Sequence, residues 1–308
     1  MIKKATWLIA TLIVLALSMA LPVWPGTVPA SVVPEGARWI AHLDMEKFVA
    51  TDLFAQLEKD GQIKLNSRDL DRWFKIDLAR DITGVTVFGL EGRSDDQAVV
   101  AVSGKFDRAG ILGWLAREED HEEIAYGAFT IYANDGDGYG AFVNDNLVVL
   151  SESRNAIQKA LDAAGGKVKT FASSKLGAAF KEIPAGAFLS GVVEDLTGLG
   201  RELNQSKLVE RASGLFFLAQ EKQSLLHLRL QMAADSPENA KNIADLVQGL
   251  IALGRLSGGR GDMARFASLI DGVQVKLDGK TVRLEFKGPS REIAELLSRG
   301  RRIGGLLD

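Results

Sequence analysis

A strand–strand–helix pattern that occurs twice restricts this chain more than any other feature. From Ser213 to Leu256 the sequence runs Ser-Gly-Leu-Phe-Phe-Leu-Ala, a short turn, Leu-Leu-His-Leu-Arg-Leu-Gln-Met, and then Ser-Pro-Glu-Asn at the head of a long amphipathic stretch. An earlier stretch echoes it: Thr83-Gly-Val-Thr-Val-Phe88, then Ala98–Val102, then Asp107 at a helix start. The first strands match at an offset of about 130 residues and the helix caps at about 129. Self-similarity at one spacing points to a repeated structural unit. The expected fold is α+β: two tandem units related by duplication, 31–166 and 167–308, each a mainly antiparallel sheet with helices on one face. At 308 residues, 46% hydrophobic and 25% charged, the chain can bury a core in each half.

Hydropathy patterning supplies the elements. Leu226, Leu228, Leu230 and Met232 alternate with His227, Arg229 and Gln231, so that strand has one buried and one wet face, as in an antiparallel sheet covered on one side. Val273–Leu277 and Val282–Phe286 flank Asp278-Gly279, a hairpin signal. In the first unit, strands are expected at Ala37–Asp44, Gly84–Leu90, Gln97–Phe106, Ala128–Ala133, Gly138–Val143 and Leu147–Leu150. In the second, Ala187–Val193 repeats the opening strand. One helix is expected over Lys47–Leu57, a shorter one at Leu70–Ile76 and another at Leu199–Ala212. Asp107, Ser153, Ser236-Pro237 and Ser290-Arg291 are the expected helix starts.

The N-terminus reads as an export signal. Met1-Ile-Lys-Lys is a short basic region and Ala5–Leu21 a nearly unbroken apolar run. Ser18-Met19-Ala20 and Val28-Pro29-Ala30 both fit the small-x-small cleavage rule. Residues 1–30 are therefore expected to be signal peptide and proline-rich linker. The alternative is an uncleaved anchor formed by residues 5–21. Either way the remainder is expected to be periplasmic or secreted, touching a membrane only through its N-terminal segment. The chain has no cysteine, which excludes disulfides, thiolate zinc sites, Fe–S clusters and cysteine nucleophiles. Net charge is −3, and −5 without Lys3 and Lys4, so no basic footprint for nucleic acid is present. The cluster Arg299, Arg301 and Arg302 suits a helix C-terminus.

The chain resembles exported bacterial proteins of unknown function. The likeness lies mainly in the first unit. It rests on Gly104-Lys-Phe-Asp107 at a helix start, on a strand opened by Tyr126-Gly127 and closed by Thr130-Ile-Tyr132, and on Asp145-Asn-Leu-Val-Val149 before another helix. The resemblance implies export and brings no catalytic residue with it.

Candidate chemistry is sparse. Asn134-Asp135-Gly136-Asp137-Gly138 has the alternating oxygens a hard cation needs, making Asp135 and Asp137 the metal candidates. No bidentate Glu closes a loop after them, so a plain hairpin turn is expected. Glu118–Glu123 contains His121 but no second histidine at ligand spacing, and reads as a solvated loop. His42 and Asp44 lie two apart in a strand and so share a side, yet no nucleophile motif accompanies them. His227 falls on a wet strand face. Arg260-Gly-Asp262 is an integrin-type tripeptide and Asn204-Gln-Ser206 a glycosylation sequon, each too short to carry an argument. No Walker loop, dinucleotide fingerprint or zinc spacing occurs, and no cofactor is expected.

One asymmetry bears on binding. Every tryptophan (Trp7, Trp24, Trp39, Trp73, Trp114) and every tyrosine (Tyr126, Tyr132, Tyr139) lies in the first half. Both residue types join apolar area to a polar handle and are over-represented at interface hot spots. Trp39, Trp73, Trp114, Tyr126, Tyr132 and Tyr139 are therefore the expected binding residues, the alternative being that Trp39, Trp73 and Trp114 are core residues of one diverged copy. The expected function is an exported, non-enzymatic binding or structural module whose partner is a protein or envelope component. The alternative is a secreted hydrolase in which Asp44, Asp135 and Asp137 converge in the fold.

Overall fold

Strand-forming segments dominate, and they assemble edge to edge rather than as separate sheets. The computed structural model describes residues 28–63, 76–90, 97–118, 120–134, 138–180, 182–194, 212–256 and 272–304. The expected helices at Leu70–Ile76 and Leu199–Ala212 lie essentially outside these residues. The strands are β1 Trp39–Asp44, β2 Ile82–Gly89, β3 Ala98–Gly104, β4 His121–Tyr126, β5 Phe129–Asn134, β6 Tyr139–Asn144, β7 Leu147–Ser151, β8 Ala187–Val193, β9 Ala212–Lys222, β10 Leu225–Ala234, β11 Val273–Asp278 and β12 Thr281–Pro289. They form one twelve-stranded sheet in the order β11-β12-β10-β9-β8-β1-β2-β3-β7-β6-β5-β4. Every pairing is antiparallel. The α+β class therefore holds, while the two expected sheets are continuous through the β1–β8 pair.

Eight α-helices are present among the described residues: α1 Met45–Val49, α2 Asp52–Lys59, α3 Leu78–Asp81, α4 Arg108–Leu115, α5 Arg154–Ala164, α6 Lys175–Phe180, α7 Pro237–Leu256 and α8 Ser290–Gly304. Caps explain several boundaries. Asp107 accepts from Gly110 N at 2.9 Å, Ser153 from Ala156 N at 3.3 Å and Ser236 from Asn239 N at 3.1 Å. The single helix expected over Lys47–Leu57 is broken, because Thr51 turns extended and accepts from Phe54 N to start α2 afresh. Ser290 is the first residue of α8, but its buried hydroxyl finds no hydrogen-bond partner among the described residues, so it does not repeat the Ser153 cap. The acidic run expected to be a loop is partly strand β4. Ile124 and Tyr126 turn toward the core while Glu122 and Glu123 stay exposed at the sheet edge. Gly127, at φ +61°, makes the tight turn into β5.

Strand register sorts the side chains into two faces. On β1, Ile40, His42 and Asp44 share one face and are buried. Register carries this face through Phe88, Val99, Ala101, Val149, Ala141 and Ile131 toward β4. These residues form the largest core cluster, completed by Ile157 and Leu161 of α5 and Leu176 of α6. On β9 that face still packs through Phe216 and Leu218, and from there outward the packed residues belong to the opposite face. Leu189, Ala219 and Leu226 cluster with Leu53 and Leu57 of α2 and Ile293 and Ala294 of α8. Met232 and Val282 cluster with Ile243 and Ala244 of α7. The strand β8 sits where the two regimes meet, and all seven of its residues are buried. That is why Ala187–Val193 is a nearly continuous apolar run while β10 alternates.

Candidate functional site

The residues with most chemical potential lie at the sheet centre. Strand β1 sits between β8 and β2, and the register places His42 opposite Ser190 on one side and Thr86 on the other. Thr86, His42 and Ser190 are 0%, 3% and 0% exposed. His42 Nδ1 is 2.7 Å from Thr86 Oγ1. Burial lowers the His42 pKa from 6.5 to about 4, with Asp44 partly opposing the shift. The ring is therefore a neutral imidazole over the physiological range. The close fit around it shows at Gly84, where a Cβ would run into the His42 ring.

Asp44 shares the face of His42, as the two-residue spacing requires, but its carboxylate works locally. It accepts from Lys47 N at 3.0 Å, capping α1, and pairs with the Lys47 ammonium. Ser190 Oγ has no hydrogen-bond partner among the described residues. A nucleophilic site needs a serine that substrate can reach and a base that can take its proton. Here serine and histidine are sealed beneath the sheet's packing. The arrangement is a buried polar row across β2, β1 and β8, in which His42 bonds Thr86 and lies opposite Ser190. Only the His42/Asp44 half of it was legible in sequence, because Thr86 and Ser190 join it through pairing between distant segments.

The aromatic candidates do not form one patch. Trp39, Trp114, Tyr126, Tyr132 and Tyr139 are each half-buried. Trp39 lies across the strand pair over Gly89, where a Cβ would strike the indole. It points to the face opposite His42. Tyr126 and Tyr139 pack against the cluster beneath α5. Tyr126 donates to Asp162 at 3.0 Å, Lys167 reaches the same carboxylate at 2.7 Å, and the Lys167 ammonium lies 4.6 Å from the Tyr126 ring centroid. This clamp ties the β4–β5 hairpin to the end of α5. Tyr132 projects to the other face and stacks on His121 with centroids 6.0 Å apart. Trp114 sits on α4, of which no residue is buried despite the apolar Ile111, Leu112 and Leu115. Trp73, Asp135 and Asp137 lie outside the described residues, as do Arg260-Gly-Asp262 and Asn204-Gln-Ser206. Among the described residues no group of three or more His, Asp or Glu side chains is placed to hold a metal ion.

A second polar region was not singled out by sequence. On the face of β10–β12–β11 away from α7, His227, Arg229 and Gln231 align with Lys287, Glu285 and Arg283, and Arg283 with Lys276. Glu285 Oε2 accepts from Lys276 at 2.6 Å and Oε1 lies 3.5 Å from Arg229, and these contacts hold its pKa below the usual carboxylate range. The strand alternation contained the signal, but the concentration of cations appears only once three strands are paired.

Comparison with solved structures places the architecture. The fold is similar to that of TP0453. Its crystal form III matches with a TM-score of 0.56 at 10% identity, over 89% of this chain and 99% of that one. Crystal form I matches at 0.51 with 14% identity, over 90% and 99%. Form IV gives 0.53 with 11% identity, over 89% and 97%. At these identities the likeness to TP0453 concerns the fold alone. No family model matches the chain and no curated protein matches it, which is consistent with the resemblance to proteins of unknown function.

Proposed function

We propose that the chain is an exported, non-enzymatic binding module and that its recognition surface lies in the first half. The observation that carries this reading is the half-burial of all five described Trp and Tyr residues. Each is partly covered by the fold yet partly exposed, the state in which an aromatic side chain can serve as an anchor. The buried polar row supports a structural assignment for the groups that would otherwise suggest catalysis. His42 is 3% exposed and bonded to Thr86, and Asp44 is occupied by α1 and Lys47. The test is capture of a partner from the envelope fraction by the full chain. Trp39→Ala with Trp114→Ala should lose the captured partner, while Arg229→Ala with Lys287→Ala should keep it. The reverse pattern would move the recognition surface to the second half, and loss in neither would remove the aromatics from the argument.

We also infer that the halves arose by duplication and that each covers one face of its part of the sheet. Outward from the β1–β8 pair, one half runs β1-β2-β3-β7-β6 and the other β8-β9-β10-β12-β11. Gly84 lies in β2 and Gly214 in β9, the second strand of each half; Asp107 caps α4 and Ser236 caps α7, the helix after the third. The hairpin β4–β5 is extra in the first half. The test is superposition of the two halves in an experimental structure, with these residue pairs in equivalent positions.

A further inference from the structure

The sheet is open, and its two ends differ in charge. Strand β11 pairs only with β12 and strand β4 only with β5 among the described residues. Each end presents unpaired backbone donors and acceptors, a template for another strand. Among the described residues the usual structural blocks are missing. Neither His-Glu-Glu-Ile-Ala-Tyr (β4) nor Val-Gln-Val-Lys-Leu-Asp (β11) contains proline or glycine, and both pair without a bulge. Charge is the remaining control. The β4 end carries exposed Asp120, Glu122 and Glu123. The β11 end carries exposed Lys276 and Lys287 with Arg283 beside Lys276, against Glu285, which Lys276 and Arg229 already engage; Asp278 and Lys280 offset each other at the turn.

These signs oppose pairing of like ends: two β4 strands would set carboxylates together, and two β11 strands would set the cationic Lys276–Arg283 side of one copy against that of the other. They favour β4 against β11. Direction agrees with this. Twelve strands alternate antiparallel, so the first and last run in opposite directions. A copy displaced along the sheet would bring its β11 antiparallel to β4, continuing the same alternation with the same faces up.

We propose that the occupant of each sheet edge is a second copy of this chain, joined head to tail with β4 of one copy against β11 of the next. Such a contact is heterologous: it leaves a free end of each kind and propagates into chains or rings. It stands independently of the proposed recognition surface, because it uses neither Trp39 nor Trp114.

The test exploits the distance between the ends. Eleven inter-strand steps of about 4.8 Å put β4 and β11 roughly 50 Å apart along one sheet. A zero-length carbodiimide bond between Glu122 and Lys276, which share one face of the continued sheet, therefore has to join two copies. The full chain, dispersed in non-ionic detergent at low ionic strength, should give that cross-linked peptide pair in mass spectrometry and lose it at high salt. Glu122→Lys with Glu123→Lys makes both ends basic, and Lys276→Glu makes the β11 end acidic like β4. Each variant alone should associate at least about tenfold more weakly by sedimentation. An equimolar mixture should recover association, which misfolded variants would not do. Absence of the cross-link, a variant that sediments like the parent, or a mixture that stays monomeric would each overturn the proposal.

Discussion

The two halves of the sheet bury opposite faces. In the first half the packed residues are those in line with Ile40: Phe88, Val99, Ala101 and Val149, closed by Ile157 and Leu161. In the second half the residues in line with Ile40 are first Val192 and Phe216, which still join the first core, and then Gln231, Arg283 and Lys276, while the other face supplies Ala219, Leu226, Met232 and Val282 to the core. A sheet can change its buried face only where both faces are covered, and that condition is met at β8. The comparison also shows that the halves are not independent. Helix α2 lies between β1 and β2 in the chain, yet Leu53 and Leu57 pack with Leu226 and Ile293. Glu221 of β9 accepts from Asp52 N at 2.8 Å and Leu53 N at 3.1 Å, and Ser298 of α8 donates to Asp60 at 3.0 Å.

The strongest way to break this comparison is to open one core and ask whether the other follows. Phe88 and Leu226 are each 0% exposed, on opposite faces and in different clusters. Phe88→Ala should cost about 3–5 kcal/mol and Leu226→Ala about 2–5 kcal/mol. Because one sheet and α2 join the halves, each variant should still melt in a single transition, followed by circular dichroism. Two separated transitions in either variant would mean that the halves fold as independent units.

The next effect belongs to the polar row where the halves meet. His42 has its folded pKa depressed to about 4 from 6.5, so the unfolded chain takes up a proton there that the folded chain refuses. The contribution is fully present above pH about 6.5, falls as pH drops through the window and levels off below about 4. The shift corresponds to roughly 3 kcal/mol across that window. Denaturant titrations of the parent and His42→Gln at several pH values isolate it, since the other carboxylates and histidines cancel in the difference. The parent should lose stability faster than the variant between pH 6.5 and 4; parallel curves would show that His42 is not the group responsible.

Much of the strand content was legible because outer strands alternate in hydropathy and the central one does not. β10, the β11–β12 hairpin and the apolar run of β8 could each be read from local pattern. β4 could not, since Glu118–Glu123 has the composition of a solvated loop, and only Ile124 and Tyr126 betray a buried side. The joining of the two sheets, the sharing of α2 and the pairing of His42 with Thr86 and Ser190 were hidden for a common reason. Each depends on contacts between distant segments, and no local periodicity records which strand becomes a neighbour. The expected binding residues were read from composition, which says that an aromatic is present but not which face of a strand it occupies.

A smaller effect sharpens the account of the seam. At Gly191 of β8 a Cβ would overlap the Phe217 ring and press on the Ile40 carbonyl. Gly191→Ala should therefore destabilise by about 1–3 kcal/mol, the range for overpacking, even though alanine suits a strand better than glycine. Pairing it with Phe217→Leu, which makes room, should recover part of the loss. If Gly191→Ala alone is neutral in chemical denaturation, the seam has slack, and the close meeting of the two packing regimes at β8 is wrong.

The smallest effect tests whether α2 belongs energetically with the second half. The first amides of a helix lack intrahelical acceptors, and a carboxylate placed there satisfies them and suits the positive end of the helix. Glu221 reaches across from β9 to do this for α2 with both oxygens. Glu221→Ala should cost about 1 kcal/mol, the usual value of a lost cap. The magnitude alone would not place α2, because any cap loss gives a similar figure. Coupling does. Residues sharing a contact network have non-additive effects, whereas distant ones add within about 0.3–0.5 kcal/mol. Leu53 lies one residue inside the capped end and packs with Leu226, so Glu221→Ala and Leu53→Ala should be strongly non-additive. Ile157, in the cluster beneath α5, shares no partner with Glu221, so Glu221→Ala and Ile157→Ala should add. If instead the Ile157 pair couples and the Leu53 pair adds, α2 answers to the first half and its contacts with β9 and α8 are incidental.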